Sequence, residues 1–427
     1  MSDYFDRVER QIVRNVEAGP PRSSRLPAAF GYLASAAAVL VVIIVAGVFL
    51  LLHGSSQAPA PASSGRSTVT IRFTASTIAP HAPLGPAIDR AVVILTERLG
   101  SAFPGVSVSR AGNGITVSAP NATANTRAIL LALAGTTTQL AFYDWEANVI
   151  TPNGKTVASQ LQTQDPTATE ISQGNANKAP GQPGAGSMNL YDAVKLASKQ
   201  PESSSRANSR HGPQYYVFGA PGSAACQAAA KANGTTTTVG EHCLLSGPDD
   251  NESDLLSGLP AGLNPSEGEI VTVPRGTVVL QAIPQNFSKP TPIGDPSAQF
   301  YVLKDDIALG NSEITNPQQS TDPNAGGPDV TFNFTSKGKA EFQHVTADIA
   351  HRGDLLSGVG QTLNQHFAVA LDDQLITVPF IDFKQYPDGI NGDNGADISG
   401  SFTITSAEHL ANELRYGPLP VHLTATG

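Results

Sequence analysis

Cysteine, methionine and tryptophan are nearly missing from this chain: its 427 residues hold two, two and one of them, and aromatic residues make up 6%. Two cysteines exclude both a disulfide-dense scaffold and a zinc framework built on cysteine alone. Charge is thin as well, at 15% of residues, with 26 Lys and Arg against 36 Asp and Glu and a net charge of −10. No basic cluster stands out, so the neutralisation of phosphates on which nucleic-acid binding rests is excluded. The common catalytic spacings are missing too: no Gly-x-Ser-x-Gly, His-Glu-x-x-His, Gly-x-x-x-x-Gly-Lys-Ser/Thr or repeated Cys-x-x-Cys occurs. No catalytic residue, cofactor or metal is therefore expected. Long apolar runs are missing with one exception.

That exception is Phe30 to Leu52, FGYLASAAAVLVVIIVAGVFLLL, 23 positions without a charged side chain. At the rise of an α-helix this length crosses a hydrocarbon layer of ~30 Å. Arg10, Arg14, Arg22 and Arg25 precede the run, and the next basic residue after it is Arg66. The positive-inside bias puts the N-terminus in the cytoplasm and the bulk of the chain outside the membrane, as a single-pass protein. A cleaved signal peptide is the competing reading, with Ala58-Pro59-Ala60 as a small-residue cleavage site, but the apolar core is too long for it.

Cys226 and Cys243 then lie outside the reducing cytosol, 17 positions apart. A disulfide is expected, and closing such a loop removes about 3 kcal/mol of unfolded-state entropy. The alternatives are a metal pair with His242 and two idle thiols.

Composition changes divide the chain. Residues 1–29 carry a short amphipathic helix from Ser2 to Ala18, with Phe5, Val8, Ile12 and Val16 on one face. Residues 30–52 are the membrane helix, and 53–67 a linker of Ala, Pro, Ser and Gly that buries too little to order itself. Residues 68–150 read as an α+β unit: strand Val69 to Phe73, a helix with Ile88, Val92, Leu95 and Leu99 on one face, strands around Val106 and Ile115 joined at Gly112-Asn113-Gly114, a helix near Ala128 to Leu133, and strand Gln139 to Tyr143. Residues 151–268 dissolve into Gln, Asn, Ser, Thr, Gly and Pro, interrupted by a helix at Leu190 to Ser198 and a strand at Tyr215 to Phe218. This reads as a low-complexity insertion with little core, either functional loop or disordered.

Order returns over 269–427. Strands are expected from Ile270 to Ile283, broken at Pro274-Arg275-Gly276, and at Phe300 to Leu303, Val330 to Phe334, Ala368 to Leu371, Leu375 to Pro379, Ile398 to Ile404 and Pro420 to Leu423. One helix spans Lys337 to Ala350. Another starts at a capping box of Thr405 and Glu408, faces Leu410 and Leu414 inward, and stops at Gly417-Pro418. Their order is that of a ferredoxin-like, split βαβ sandwich.

Polar clusters give little chemistry. His344 and His351 lie two turns apart on one helix, where solvated histidines are expected. Asp249, Asp250, Glu252 and Asp254 gather in one segment, and Asp388, Asp393 and Asp397 in another. The second group suggests calcium, but its spacing departs from the 12-residue calcium loop, so a solvated turn is expected.

The C-terminal blocks form an ordered series: FYVLK from Phe300 to Lys304, LGNS from Leu309 to Ser312, VTFNF from Val330 to Phe334 with Gly338 and Phe342, AVALD from Ala368 to Asp372, Val378-Pro379, ISGSF from Ile398 to Phe402, and Leu410 to Leu414 before GPLP from Gly417 to Pro420. This series resembles the large extracytoplasmic region of the SecD protein-export family. Earlier, ERLG from Glu97 to Gly100, GITV from Gly114 to Val117 with Pro120, and QLAF from Gln139 to Phe142 look like that region's base. The resemblance covers roughly half the chain. It implies a ferredoxin-like base plus a mobile head that holds emerging polypeptide, with work supplied by proton flow through a bundle of membrane helices. Here one span carries no ionisable group for a proton path, so binding without pumping is expected.

The expectation is a membrane-anchored, extracytoplasmic, non-enzymatic protein that binds polypeptide or assists a translocase; nothing in the sequence fixes an oligomeric state. An envelope sensor or scaffold, signalling through the Ser2 to Ala18 helix, is the alternative, and a hydrolytic enzyme ranks third.

Overall fold

The computed structural model describes residues 67–78, 83–123, 126–175, 178–203, 211–233, 240–250, 252, 255, 259, 268–283, 291–321, 327–358, 362–399 and 403–426. The expected cytoplasmic helix, the apolar run 30–52 and all of the linker but Ser67 lie outside the described residues. Among the described residues, no helix is long and apolar enough to cross a membrane. Those residues form a mixed α+β structure of several sheets.

Strict alternation builds the first sheet. In the strand Val69–Thr77, Ile71 and Phe73 point inward and Thr70, Arg72 and Thr74 outward. The helix Leu84–Ala102 lays Ile88, Ala91, Leu95 and Leu99 on that face, and the helix Thr126–Gly135 adds Leu130 and Leu133. Strands Ser107–Ala111 and Gly114–Ala119 form a hairpin around Gly112 and Asn113, where Gly112 takes a φ of +63°. Only glycine adopts that conformation cheaply, which explains the sharp turn.

The fourth strand of this small sheet comes from the far end of the chain. Val421–Thr426 pairs antiparallel with Val69–Thr77, so the strands stand in the order 4-1-3-2 by first appearance. The sequence reading assigned this strand to the unit 269–427. A strand's pattern shows that it is half buried, not which neighbour it pairs with.

Strand Leu140–Asp144, expected in the first unit, instead lies inside a second, eight-stranded sheet, between Leu309–Gly310 and Gln365–Leu371. That large sheet continues through Gln374–Thr377, Thr277–Gln281, Phe300–Lys304 and Val149–Ile150. Its strands are apolar on both sides because both faces are covered. Leu140, Phe142, Val369 and Leu371 meet the helices Ser336–Leu356 and Ile404–Tyr416 and a three-stranded sheet of Ile314–Thr321, Pro328–Phe334 and Ala396–Ser399. Ala141, Tyr143, Ala368 and Ala370 meet Val157, Leu161 and Ile171 from the helices Val157–Leu161 and Pro166–Gln173.

Residues 151–268 are therefore not a coreless insertion in their described parts. The helix Leu190–Ala197 and a sheet of Cys243–Asp249, Gln214–Gly219 and Gly268–Val273 cover Val279, Phe300 and Val302. Part of the segment hides its order because the helices Val157–Leu161 and Pro166–Gln173 run only 5 and 8 residues, one or two turns, too short for a 3.6-residue period to emerge. Local capping stands in for length: Asp165 and Asn189 accept from the amides of Ala168 at 3.0 Å and Asp192 at 2.9 Å.

The C-terminal run does not close into one split βαβ sheet, since its strands are divided among four sheets. The strand expected to reach Ile404 ends at Ser399 within Ala396–Ser399, and the last helix begins at Ile404. Thr405 thus falls inside the first turn rather than at the cap, and Ala407 N–H reaches Thr403 O at 3.0 Å.

Candidate functional site at the junction of the two sheets

The chain passes between the small and large sheets through two short crossings, residues 136–139 outward and 417–420 back. They lie side by side, with Leu419 N–H donating to Thr137 O at 2.9 Å and Gln139 Nε2 donating to Leu419 O at 3.0 Å. Arg98, at the inner side of the helix Leu84–Ala102 and only 4% exposed, binds both: it donates to Thr136 O at 3.0 Å, Gly417 O at 2.6 Å and Thr137 O at 3.4 Å. Burial lowers its proton affinity, against the pull of Glu413 and Asp372.

From the large sheet, the turn Asp372-Asp373 reaches the same crossing. Both residues have positive φ, 48° and 61°, the signature of a type I′ hairpin, which aspartate tolerates. The Asp372 carboxylate accepts from the amides of Gln139 at 2.8 Å and Thr138 at 3.1 Å and from the Thr137 hydroxyl. Asn311 completes the hold, accepting from Leu140 N–H and donating to Thr138 O, each at 2.9 Å. Thr138 needs it: a β-branched residue at φ 58° costs ~1–3 kcal/mol.

Glu413, from the helix Ile404–Tyr416, closes the arrangement. Its carboxyl lies 3.2 Å from Thr136 Oγ1 and 3.3 Å from Thr138 Oγ1. Burial pushes it up to about 7, Arg98 opposing and Asp372 adding to the rise. Beside the crossings opens a cleft of about 440 Å³, lined by Ile78 and His422 of the small sheet, Gln281 and Gln374 of the large one, and His211 and Tyr216. Gln214 donates to His211 Nδ1 at 3.3 Å, which leaves Nε2–H facing Asp373 at 3.1 Å. Burial raises Asp250 to about 7, with His211 opposing and Asp249 and Asp373 adding to it. These groups hold backbone amides and carbonyls across a junction; the chemistry they support is reversible hydrogen bonding.

A second polar cluster lies in the large unit. Arg352 donates to Asp144 with both terminal nitrogens and lies 3.8 Å from Glu146. Glu146, fully buried, accepts from His366 N–H at 2.9 Å, Ser172 Oγ at 2.8 Å and His366 Nδ1 at 2.7 Å.

Of the residues singled out by sequence, Cys226 and Cys243 form a disulfide, with Cα atoms 5.6 Å apart, joining the helix Ala224–Asn233 to the strand Cys243–Asp249. His242 stacks on Tyr191 at 3.7 Å between ring centres instead of joining the sulfurs. His344 pairs with Asp348, and Asp393 with Lys339. Asp397 lies in the strand Ala396–Ser399, away from the Asp393 turn in its pairing with Thr331. Arg98 and Asp372 stood within the ERLG and AVALD blocks with no role of their own assigned, and Glu413 showed only as a charge beside Leu410 and Leu414.

Residues 286–421 match the family model of the SecDF P1 head subdomain. The protein translocase subunit SecD of Streptomyces coelicolor is 35% identical over 97 residues, 23% of this chain and 15% of that protein. That of Rickettsia bellii is 33% identical over 124 residues, 29% and 20% of the two. The matched stretch thus spans a fifth or less of these relatives. A solved structure of SecDF, described as a membrane component that enhances protein export, covers 84% of this chain at 15% identity and a TM-score of 0.38, too loose an overlay to place any element. Over residues 286–421 this chain is thus similar to the SecDF P1 head subdomain and, over a stretch of about a hundred residues, to SecD translocase subunits.

Proposed function

We propose that the chain is a membrane-anchored, extracytoplasmic SecD-like protein that binds extended polypeptide and assists a translocase in protein export. The observation that carries this reading is the P1 head match over residues 286–421, which includes the Asp372-Asp373 turn and Glu413. The relatives sharing it are translocase subunits, so a translocase is the partner the reading assigns. The small sheet serves as a ferredoxin-like base, its 4-1-3-2 order and two helices being what such a unit requires. The apolar run Phe30 to Leu52 is the anchor, with the N-terminus cytoplasmic. What these residues contribute is grip rather than pumping: extended polypeptide pairs with sheet edges through its backbone and places side chains in a neighbouring cleft. The cleft between base and head is the place this reading assigns to it.

The test is a fluorescence-anisotropy titration of the full chain with a labelled secretory protein kept unfolded, with the folded form as control. Binding of the unfolded form alone, at roughly micromolar Kd or tighter, supports the reading. No binding, or equal binding of both forms, refutes it.

A further inference from the structure

The pairing of the large sheet is thinnest beside the cleft. Its strands Thr277–Gln281 and Gln374–Thr377 run parallel there and meet at one residue pair, Gln281 and Gln374, where Gln281 N–H donates to Asp373 O at 2.8 Å. Both side chains line the cleft. Their amides form a short series, in which Gln374 Nε2 donates to Gln281 Oε1 at 2.8 Å and Gln281 Nε2 donates to Thr291 O at 2.9 Å.

That series has a fixed direction. A backbone carbonyl only accepts, so Gln281 turns its nitrogen to Thr291 and its oxygen to Gln374, which must then present its own nitrogen. Gln374 keeps a second N–H and its carbonyl oxygen, and among the described residues that oxygen has no hydrogen-bond partner and is not buried. A donor and an acceptor side by side match what one residue of an extended chain offers along its edge. Ile78, Val279, Ile293 and Phe300 line the same cleft and suit apolar side chains of such a chain. A carboxamide carries no charge, so its contact discriminates little among side chains.

We propose that Gln374 is the residue by which the cleft holds the main chain of a polypeptide: its Oε1 accepts a backbone N–H and its second N–H donates to the carbonyl of the same residue, which makes the grip tolerant of sequence. This role rests on the reading that the cleft takes extended polypeptide, and adds to it the residue and the bond. The hydrogen bonds run in series to Thr291 O, so each strengthens the next. Gln281, 7% exposed and tied through its backbone to Asp373, holds the Gln374 amide in orientation.

The test titrates the full chain with three labelled peptides: one of Val, Thr and Ser, one with the same residues scrambled, and the first with its backbone N–H groups replaced by ester oxygens. The amide peptide should bind at least roughly threefold more tightly than the ester, the worth of one net hydrogen bond, and the scrambled peptide should match it. In Gln374→Leu the amide and ester should agree within about twofold. Thr377→Val, on the same strand but off the cleft lining, should keep the native difference. A tie between amide and ester in the native chain, with or without binding, overturns the assignment, as do a scrambled peptide that fails to bind, a difference that Gln374→Leu retains and one that Thr377→Val abolishes. Should Gln374→Leu not fold, Gln374→Asn decides by the same ratio, its amide withdrawn by one methylene. An unfolded secretory protein titrated alongside tells two failures apart: if it binds while amide and ester tie, only the main-chain contact falls, and if it too stays unbound, the export reading falls with it.

Discussion

Replacing Arg352 by methionine keeps an unbranched apolar stem and removes the guanidinium with its charge and donors. In the native cluster the guanidinium grips Asp144, whose side chain is 13% exposed, and lies 3.8 Å from Glu146, which is fully buried. Burial already pushes Asp144 above the ordinary carboxylate range, and Arg352 is the main group holding it down. In Arg352→Met the two carboxyls lose their shared cation, Asp144 keeping the Ala147 amide and Glu146 its bonds from His366 and Ser172. Removing one partner of a buried ion pair costs ~3–5 kcal/mol, and with Arg352 itself 20% exposed the lower end applies, about 3 kcal/mol at neutral pH. The pH dependence gives a second check. With its folded-state proton affinity raised further, Asp144 contributes stability that is present below its unfolded pKa and lost as pH rises, so the deficit of the variant shrinks in acid and grows in alkali. Urea unfolding of both proteins across that range measures it. A loss under about 1 kcal/mol, or one that does not shrink on acidification, would refute the argument that this cluster is held by charge.

Glu413→Gln removes a titration: the rise from 4.5 to about 7 means stability fully present below the lower value and lost as pH climbs through the higher one, roughly 3 kcal/mol in all, so urea midpoints of the variant should be flatter between these values and higher in alkali than those of the native chain. Gly389→Ala should lower stability by about 2 kcal/mol or more in thermal unfolding, because Gly389 has a φ of +79° and an added Cβ would stand 2.2 Å from Gln343 O. Reducing Cys226–Cys243, which closes a loop of 17 residues, should cost about 3 kcal/mol and raise hydrogen exchange in the helix Ala224–Asn233 and the strand Cys243–Asp249 before any other element.

The sequence carried the elements better than their partners. Ile71 and Phe73 alternate with polar residues and Phe342 and Ile349 repeat at helical spacing, so these segments were legible from period alone. Leu140 to Tyr143 and Val421 were legible as strands too, but pairing is set by contacts hundreds of residues away: Leu140 meets Leu371, and Val421 meets Thr77. The packed short helices of 157–173 were hidden for the opposite reason, since one turn of helix carries no period and its cap, Asp165-Pro166, reads equally as a loop. Asp372-Asp373 falls between the expected strands Ala368 to Leu371 and Leu375 to Pro379, but nothing in the sequence marks it as a ligand for the amides of Thr138 and Gln139. The disulfide followed from there being two cysteines, together with the expectation of an oxidising compartment. Arg98 and Glu413 did not, because a charged residue beside an apolar stripe looks solvated until another element covers it.

The proposal that this chain grips polypeptide outside the membrane is met most directly by a photo-crosslinking amino acid placed at Gln374, on the lining of the cleft beside the two crossings, in living cells. Illumination while export is stalled should join the chain to secretory polypeptides in transit, and the same label at exposed Leu355 should not. If Gln374 captures no exported polypeptide, or Leu355 captures the same ones equally well, the cleft is not where polypeptide is held and the account fails.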